Sequence, residues 1–253
     1  MMFGIDTDPM KQFVIEPLVP LQVAGLDLSF TNSSLFMLFA ALGSIALLWV
    51  AATRAALIPG RLQSIGELTH GFVVSMVRQT IGEEGMRFFP LVFTLFIFIL
   101  ISNMIGMIPH SFTVASQIIV TFMLAMLVIS VVILYGVYKN GAKFLKVFLP
   151  SGVPVFLAPL VAIIEVFSFI SRPISLSLRL FANMLAGHIM LKVFASFVGM
   201  MLAAGAGVAI LSPLPLALTV GVTALEFLVS FLQAYVFAIL TCVYLNDALH
   251  PGH

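Results

Sequence analysis

The stretch TVASQIIVTFMLAMLVISVVILYGVY, residues 113–138, contains no charged side chain, and it decides the fold. It exceeds the roughly 20 apolar residues that a helix needs to cross the hydrocarbon of a bilayer. The same is true of FFPLVFTLFIFILISNMIGMIP at residues 88–109. The whole 253-residue chain is 62% hydrophobic and only 8% charged. The sequence therefore predicts an all-α integral membrane protein, because a spanning helix satisfies its own backbone hydrogen bonds.

The charge balance and the cysteine content exclude several classes of function. A formal net charge of +1 predicts no nucleic-acid or polyanion partner. The single cysteine, Cys242, lies in an apolar run, so we expect it to pack in the core rather than form a disulfide or a redox site. No cofactor and no metal are implied.

We predict one polytopic domain over residues 1–253, with five membrane-crossing helices and one helix on the membrane surface. Ser33 or Ser34 is a suitable cap for the first span. The predicted segments are an outer tail (1–32), a first span (33–53), an amphipathic surface helix (61–87), a helical hairpin (88–138) and a second hairpin (155–248). In the surface helix, the apolar face comprises Leu62, Ile65, Phe72, Val73 and Met76, opposite Gln63, Glu67, His70 and Arg78.

The basic residues predict the orientation of the chain. The turn of the first hairpin, at Pro109 and His110, has no lysine or arginine. The basic residues stand before and after the hairpin, at its two open ends: Arg54, Arg61, Arg78, Arg87, Lys139, Lys143 and Lys146. Basic loops stay in the cytoplasm, so the N-terminus is expected outside and the C-terminus in the cytoplasm. We expect a bacterial plasma membrane in preference to a mitochondrial inner membrane.

The second hairpin is too long for perpendicular crossings. As helices, residues 160–200 and 213–248 would measure about 60 Å and about 54 Å, whereas the hydrocarbon core is about 30 Å thick. Both arms are therefore expected to be steeply tilted, close to the membrane plane. A helix can stop and reverse between them at Gly205, Gly207, Pro213 and Pro215.

Ionisable side chains in this hairpin need a reason, because each costs roughly 3 kcal/mol at membrane depth. They are Glu165, Arg172, Arg179, His188, Lys192 and Glu226. Folding the arms antiparallel about residues 206 and 207 brings polar residues face to face at three depths, if both arms rise equally. The predicted pairs are His188 with Glu226, Arg179 with Gln233, and Glu165 with Asp247.

The residue types divide the chemistry. Arg179 keeps its proton, so it is a fixed cation that a proton cannot pass directly. Gln233 and Asn183 beside it are neutral, so we expect its anion to come from another subunit. His188 and Glu226 can exchange a proton on the outer half of the hairpin. The carboxyl groups predicted for the cytoplasmic half offer a second titratable site.

Three stretches now show a resemblance: RPISLSLRLFANMLAGH (172–188), FLQAYVFAILTCVYL (231–245) and NMIGMIP (103–109). They resemble the membrane-embedded a subunit of the F-type ATP synthase over nearly the whole chain. The resemblance implies a non-catalytic stator with two offset half-channels beside a rotating ring of c subunits. It also implies contacts with b-type subunits of the peripheral stalk, with other ATP synthase subunits and with the lipid bilayer.

By position, Arg179 matches the arginine that is essential in this family, and Asn183 and Gln233 match polar residues near it. His188 and Glu226 match the acid and histidine of the outer half-channel, and Glu165 matches an acid of the other one. Here the histidine precedes the acid, as in mitochondria-like members, so the order of proton transfer between them stays open. The pair favours H⁺ over Na⁺ as the transported ion.

Three other classes of function are less well supported by the sequence. A proton-coupled secondary transporter also needs intramembrane acids and bases, but the chain has no visible inverted repeat. A purely structural scaffold would leave the charges without a role, and an intramembrane hydrolase lacks a paired nucleophile and base.

Overall fold

The computed structural model describes residues 13–20, 22–23, 26–27, 29–53, 59–108, 111–141, 144, 147–148 and 156–250. The predicted turn at Pro109 and His110, and the basic residues Arg54, Lys143 and Lys146, lie outside this part of the chain. Within it the protein is helical, apart from four short strands near the N-terminus.

The helices follow the predicted order. They are α1 (Asn32–Thr53), α2 (Arg61–Thr80), α3 (Phe89–Gly106), α4 (Ile118–Asn140), α5 (Ala158–Ala203), α6 (Ala206–Ala209) and α7 (Pro213–Leu249), with 3₁₀ turns at Glu83–Phe88 and Val114–Ser116. Five helical segments in the described chain are long and apolar enough to cross a membrane, and α2 is not one of them. The predicted all-α membrane fold is confirmed.

The N-terminal tail contains two antiparallel strand pairs. Strand β1 (Pro17–Val19) pairs with β4 (Phe30–Thr31), and β2 (Gln22–Val23) pairs with β3 (Leu26–Asp27). Strand β4 leads directly into α1, which begins one residue before the predicted cap. The side-chain oxygens of Thr31 and Asn32 accept the backbone N–H groups of Ser34 and Ser33, at 3.3 Å and 2.8 Å. Thr31 and Asn32 therefore cap the helix through their side-chain oxygens, in place of the predicted Ser33 or Ser34.

The apolar residues of helix α2 are divided between the protein interior and the exposed surface. Val73 and Met76 are buried, but Leu62, Ile65 and Phe72 are exposed. Gln63 is buried and donates a hydrogen bond to Glu67 Oε1 at 2.7 Å. Helix α1 lies close on this side, because a Cβ on Gly66 would be 2.5 Å from the Cβ of Ala51.

The second hairpin has the predicted extent. At 1.5 Å per residue α5 is about 69 Å long and α7 about 56 Å, and both exceed the hydrocarbon thickness. Helix α5 ends before Gly205, whose φ of +106° suits only glycine, and α7 starts with proline in its first turn. Pro173 lies inside α5 and removes one helical hydrogen bond there.

The two arms differ in how deeply they lie in the protein. In an apolar 18-residue stretch of the segment that contains α7, 50% of the residues are buried, compared with 6% in such a stretch of α5. The buried face of α7 packs against α3 and α4 and includes Ala234, Phe237, Ala238, Thr241, Cys242 and Leu245. Cys242 is fully buried, as predicted. Helix α5 therefore keeps most of its surface free for lipid or another chain.

Candidate functional site

His188 of α5 and Glu226 of α7 form a buried pair, as the antiparallel register predicted. The Nδ1 atom of His188 contacts Glu226 Oε1, and the two residues are 7% and 4% exposed. Gly187 makes the contact possible, because a Cβ at this position would lie 2.6 Å from Oε1. The contact between His188 and Glu226 thus depends on the absence of a Cβ atom at Gly187.

The third partner of this pair is a backbone carbonyl. His188 Nε2 lies 3.0 Å from the carbonyl oxygen of Gly106, at the end of α3. A carbonyl oxygen only accepts hydrogen bonds, so Nε2 must carry a hydrogen and donate it. Nδ1 is then the nitrogen that gains or loses a proton, and its partner is the Glu226 carboxyl group. The geometry allows one proton to be shared between the two side chains.

Other buried polar atoms surround the pair. Asn103 of α3 donates to the carbonyl oxygen of Ser230 on α7 at 3.1 Å, and this hydrogen bond joins the two helices. In the described part of the chain, three buried side-chain oxygens have no protein partner: Asn103 Oδ1, Thr113 Oγ1 and Glu226 Oε2. Thr113 packs on Gly106, whose carbonyl binds His188. Buried oxygens of this kind are usually satisfied by water.

Arg179 lies on the exposed face of α5, and Asn183 follows on the same face. The neighbouring Leu180 and Met184 face inward and are buried. None of the described carboxylates forms an ion pair with Arg179, and Gln233, which is half-buried, forms no hydrogen bond with it. Arg179 is therefore exposed and has no carboxylate partner among the described residues.

The second ionic pair of the hairpin is not the one predicted. Asp247 Oδ2 accepts a hydrogen bond at 2.8 Å from Arg172 Nη1. The guanidinium also lies 5.5 Å from the ring of Phe169 and 5.0 Å from the ring of Tyr244. Glu165 is half-buried and contacts no ionic partner in the described chain. The predicted pairing of Glu165 with Asp247 is therefore wrong.

The physical reason is the unequal path of the two arms. From the outer pair to the inner one, α5 advances from residue 188 to 172, whereas α7 advances further, from 226 to 247. An equal-rise register ignores this difference, and it ignores the reach of the long arginine side chain just before Pro173. The carboxyl group that was predicted to titrate is instead the counterion of a permanent cation.

Sequence reasoning also missed residues that build the site. Gly106 acts through its backbone carbonyl, so no side-chain pattern could indicate it. Gly187 precedes His188 directly, and a small residue at this place was the one available signal of a close approach. In the described part of the chain, no group of three or more His, Cys, Asp or Glu side chains is placed to hold a metal ion.

These features define a polytopic α-helical membrane protein with a buried titratable pair and an outward-facing arginine on one long hairpin. Residues 34–246 match the family described as ATP synthase A chain. ATP synthase subunit a from Maricaulis maris (strain MCS10) is 60% identical over 98% of this chain and 99% of its own length. Those from Chelativorans sp. (strain BNC1) and Agrobacterium fabrum (strain C58 / ATCC 33970) are each 58% identical, over 98% and 97% of this chain and 99% of their own lengths. The chain belongs to the ATP synthase A chain family, as the resemblance implied.

Proposed function

We propose that this chain is the proton-translocating stator subunit in the membrane sector of an F-type ATP synthase. Two offset half-channels pass protons to and from carboxylates on a rotating c-ring, and Arg179 prevents a direct leak between them. The chain does no catalysis itself; proton flow through it is coupled to ATP synthesis by other subunits.

The observation that carries this proposal is the contrast between Arg179 and the buried pair on the same helix. An unpaired arginine facing lipid is costly, and a lipid chain offers it no counterion. A carboxylate on a neighbouring subunit would supply the missing anion. Because α5 is buried so little, its exposed face offers a surface along which such a partner can slide.

The two halves of the hairpin then have separate tasks. On the outer half, His188 and Glu226 exchange protons with the outside and with the ring carboxylate. On the cytoplasmic half, Glu165 is the free carboxyl group, since Asp247 is neutralised by Arg172. Asn183 and Gln233 are neutral hydrogen-bonding groups beside Arg179, and they can orient the passing carboxyl group without adding charge.

The surroundings of the subunit follow from this role. The ring docks on the exposed face of α5, and b-type peripheral-stalk subunits hold the chain against the torque of the rotor. The N-terminus lies outside and the C-terminus in the cytoplasm of a bacterial plasma membrane, in line with the basic residues at Arg78, Arg87 and Lys139.

The test compares ATP-driven proton pumping and passive proton flux in vesicles that carry the assembled complex. Arg179→Ala is expected to assemble normally, to lose pumping and to open a passive leak. Arg78→Ala is the matched control, because Arg78 is an exposed arginine paired only with Glu83 at the surface. Pumping by Arg179→Ala at the control rate would contradict the proposal.

A further inference from the structure

A short N-terminal segment, residues 13–16, crosses the outer ends of two helices, and we call it the N-terminal strap. The side chain of Gln117, just before α4, donates to the carbonyl oxygen of Phe13 at 3.0 Å. Asn32, the first residue of α1, donates from Nδ2 to the carbonyl of Val14 at 3.0 Å and accepts the Glu16 N–H at 3.2 Å. The backbone N–H of Asn32 also donates to Glu16 O, at 3.1 Å. The strap is thus fixed at both ends.

The strap places an aromatic ring beside the titratable pair. The centroid of the Phe13 ring lies 6.4 Å from that of the His188 ring, with the planes tilted by 30°. This separation is within the range of interacting ring pairs. Phe13 therefore packs an apolar surface against His188 on the side where α1 and α4 begin.

One buried oxygen of the pair has no protein hydrogen-bond partner. In His188, Nε2 is held by Gly106 and Nδ1 by Glu226 Oε1, and Phe13 covers a side of the ring. Glu226 Oε2 has no protein partner in the described chain. Water that reaches this site can therefore hydrogen-bond to the carboxyl group, but not to the imidazole, without breaking a contact.

We infer that Phe13 screens His188 from outer water, so that the pair exchanges protons with the outside at Glu226 Oε2. In the neutral pair, Oε1 carries the carboxyl proton and shares it with Nδ1. A proton arriving from water binds Oε2 as the Oε1 proton passes to Nδ1, so the carboxyl group stays neutral and the imidazole gains one proton. The reverse transfer returns the proton from Nδ1 to Oε1 and releases one from Oε2. Phe13 is a positioning residue in this scheme. The inference rests on the proposed function, because it assigns an order to the outer half-channel.

The experiment measures whether diethyl pyrocarbonate, which acylates accessible neutral imidazoles, modifies His188 in the assembled complex. The readout is the mass of the peptide that contains residue 188, with the exposed His250 as an internal reference. In the chain without substitutions, His188 is expected to react with diethyl pyrocarbonate far more slowly than His250. Phe13→Ala is expected to raise the His188 rate at least about tenfold, because it removes the cover. Phe13→Leu keeps an apolar cover and should restore protection.

Val14→Ala is the matched control, since Val14 is the exposed neighbour of Phe13 in the same strap and should leave the His188 rate unchanged. Rapid reaction of His188 in the chain without substitutions would overturn the inference, because the imidazole would then face water itself. Equal protection in Phe13→Ala would also overturn it, because Phe13 would not be the cover. The readout does not involve pumping, so the outcome is independent of the Arg179→Ala test.

Discussion

Contacts between ionisable side chains join α5 and α7 at His188–Glu226 and at Arg172–Asp247, and the two contacts differ in almost every physical respect. His188 and Glu226 are nearly fully buried, and both can change protonation state. Arg172 and Asp247 are partly open, with side chains 19% and 37% exposed, and the arginine keeps its charge. The outer pair has a glycine at closest approach, whereas aromatic rings flank the inner one.

The difference teaches that an acid on each arm does not imply the same role on each half. A carboxyl group that accepts a hydrogen bond from an arginine forms an ion pair that can hold two helices together. A carboxyl group against a histidine, in a buried site, can share and release a proton. We therefore assign proton transfer to the outer pair and positioning of the arms to the inner one.

The largest expected effect separates these two roles directly. Glu226→Gln keeps the size of the side chain but removes its proton exchange, so pumping should fall by about 100-fold or more, the usual loss when an acid–base group is removed. Asp247→Asn is the matched change in the inner pair, and it should keep most of the pumping rate. ATP-driven acidification of vesicles measures both. Equal losses in the two variants would show that the pairs do not differ in role.

An intermediate effect is expected from Gly187→Ala. The new Cβ would lie 2.6 Å from Glu226 Oε1 and 2.9 Å from Cδ, so the carboxyl group must move away from His188. Pumping should fall by about tenfold, because small misplacements of reacting groups are costly. Gly221→Ala, where a Cβ has no neighbour within 4 Å, is the control on α7. An unchanged rate in Gly187→Ala would mean that the close contact is not needed for transfer.

The smallest effect concerns stability. Arg172→Met leaves Asp247 without its counterion and should cost about 1–2 kcal/mol, less than for a fully buried pair because both side chains are partly exposed. The double variant Arg172→Met/Asp247→Leu should be more stable than the sum of the two single changes predicts. The thermal stability of the detergent-solubilised complex measures the coupling. Additive losses would contradict a direct interaction between these arms.

The helices could be predicted well from the sequence, because long apolar runs in a chain with so few charges form membrane-spanning helices. The contact of His188 with Glu226 could also be predicted, since both lie near the apex, where an equal-rise register accumulates little error. The error grows with distance from the apex. For Asp247 the register predicts Glu165 as the partner, whereas the partner in the structure is Arg172, seven residues further along α5. The carbonyl of Gly106 and the ring of Phe13 could not be predicted, because a backbone atom and a distant tail leave no periodic signal.

The bond from Gly106 to His188 also has a consequence for how the chain enters the membrane. Helix α3 is synthesised long before α5 and α7, and chains are generally made and inserted from the N-terminus onward. Its last turn already offers a carbonyl oxygen for His188 and an amide, in Asn103, for the backbone of Ser230. The polar residues of the later hairpin thus meet their partners on arrival instead of waiting unpaired in lipid. We therefore expect the end of α3 to guide the insertion of the second hairpin.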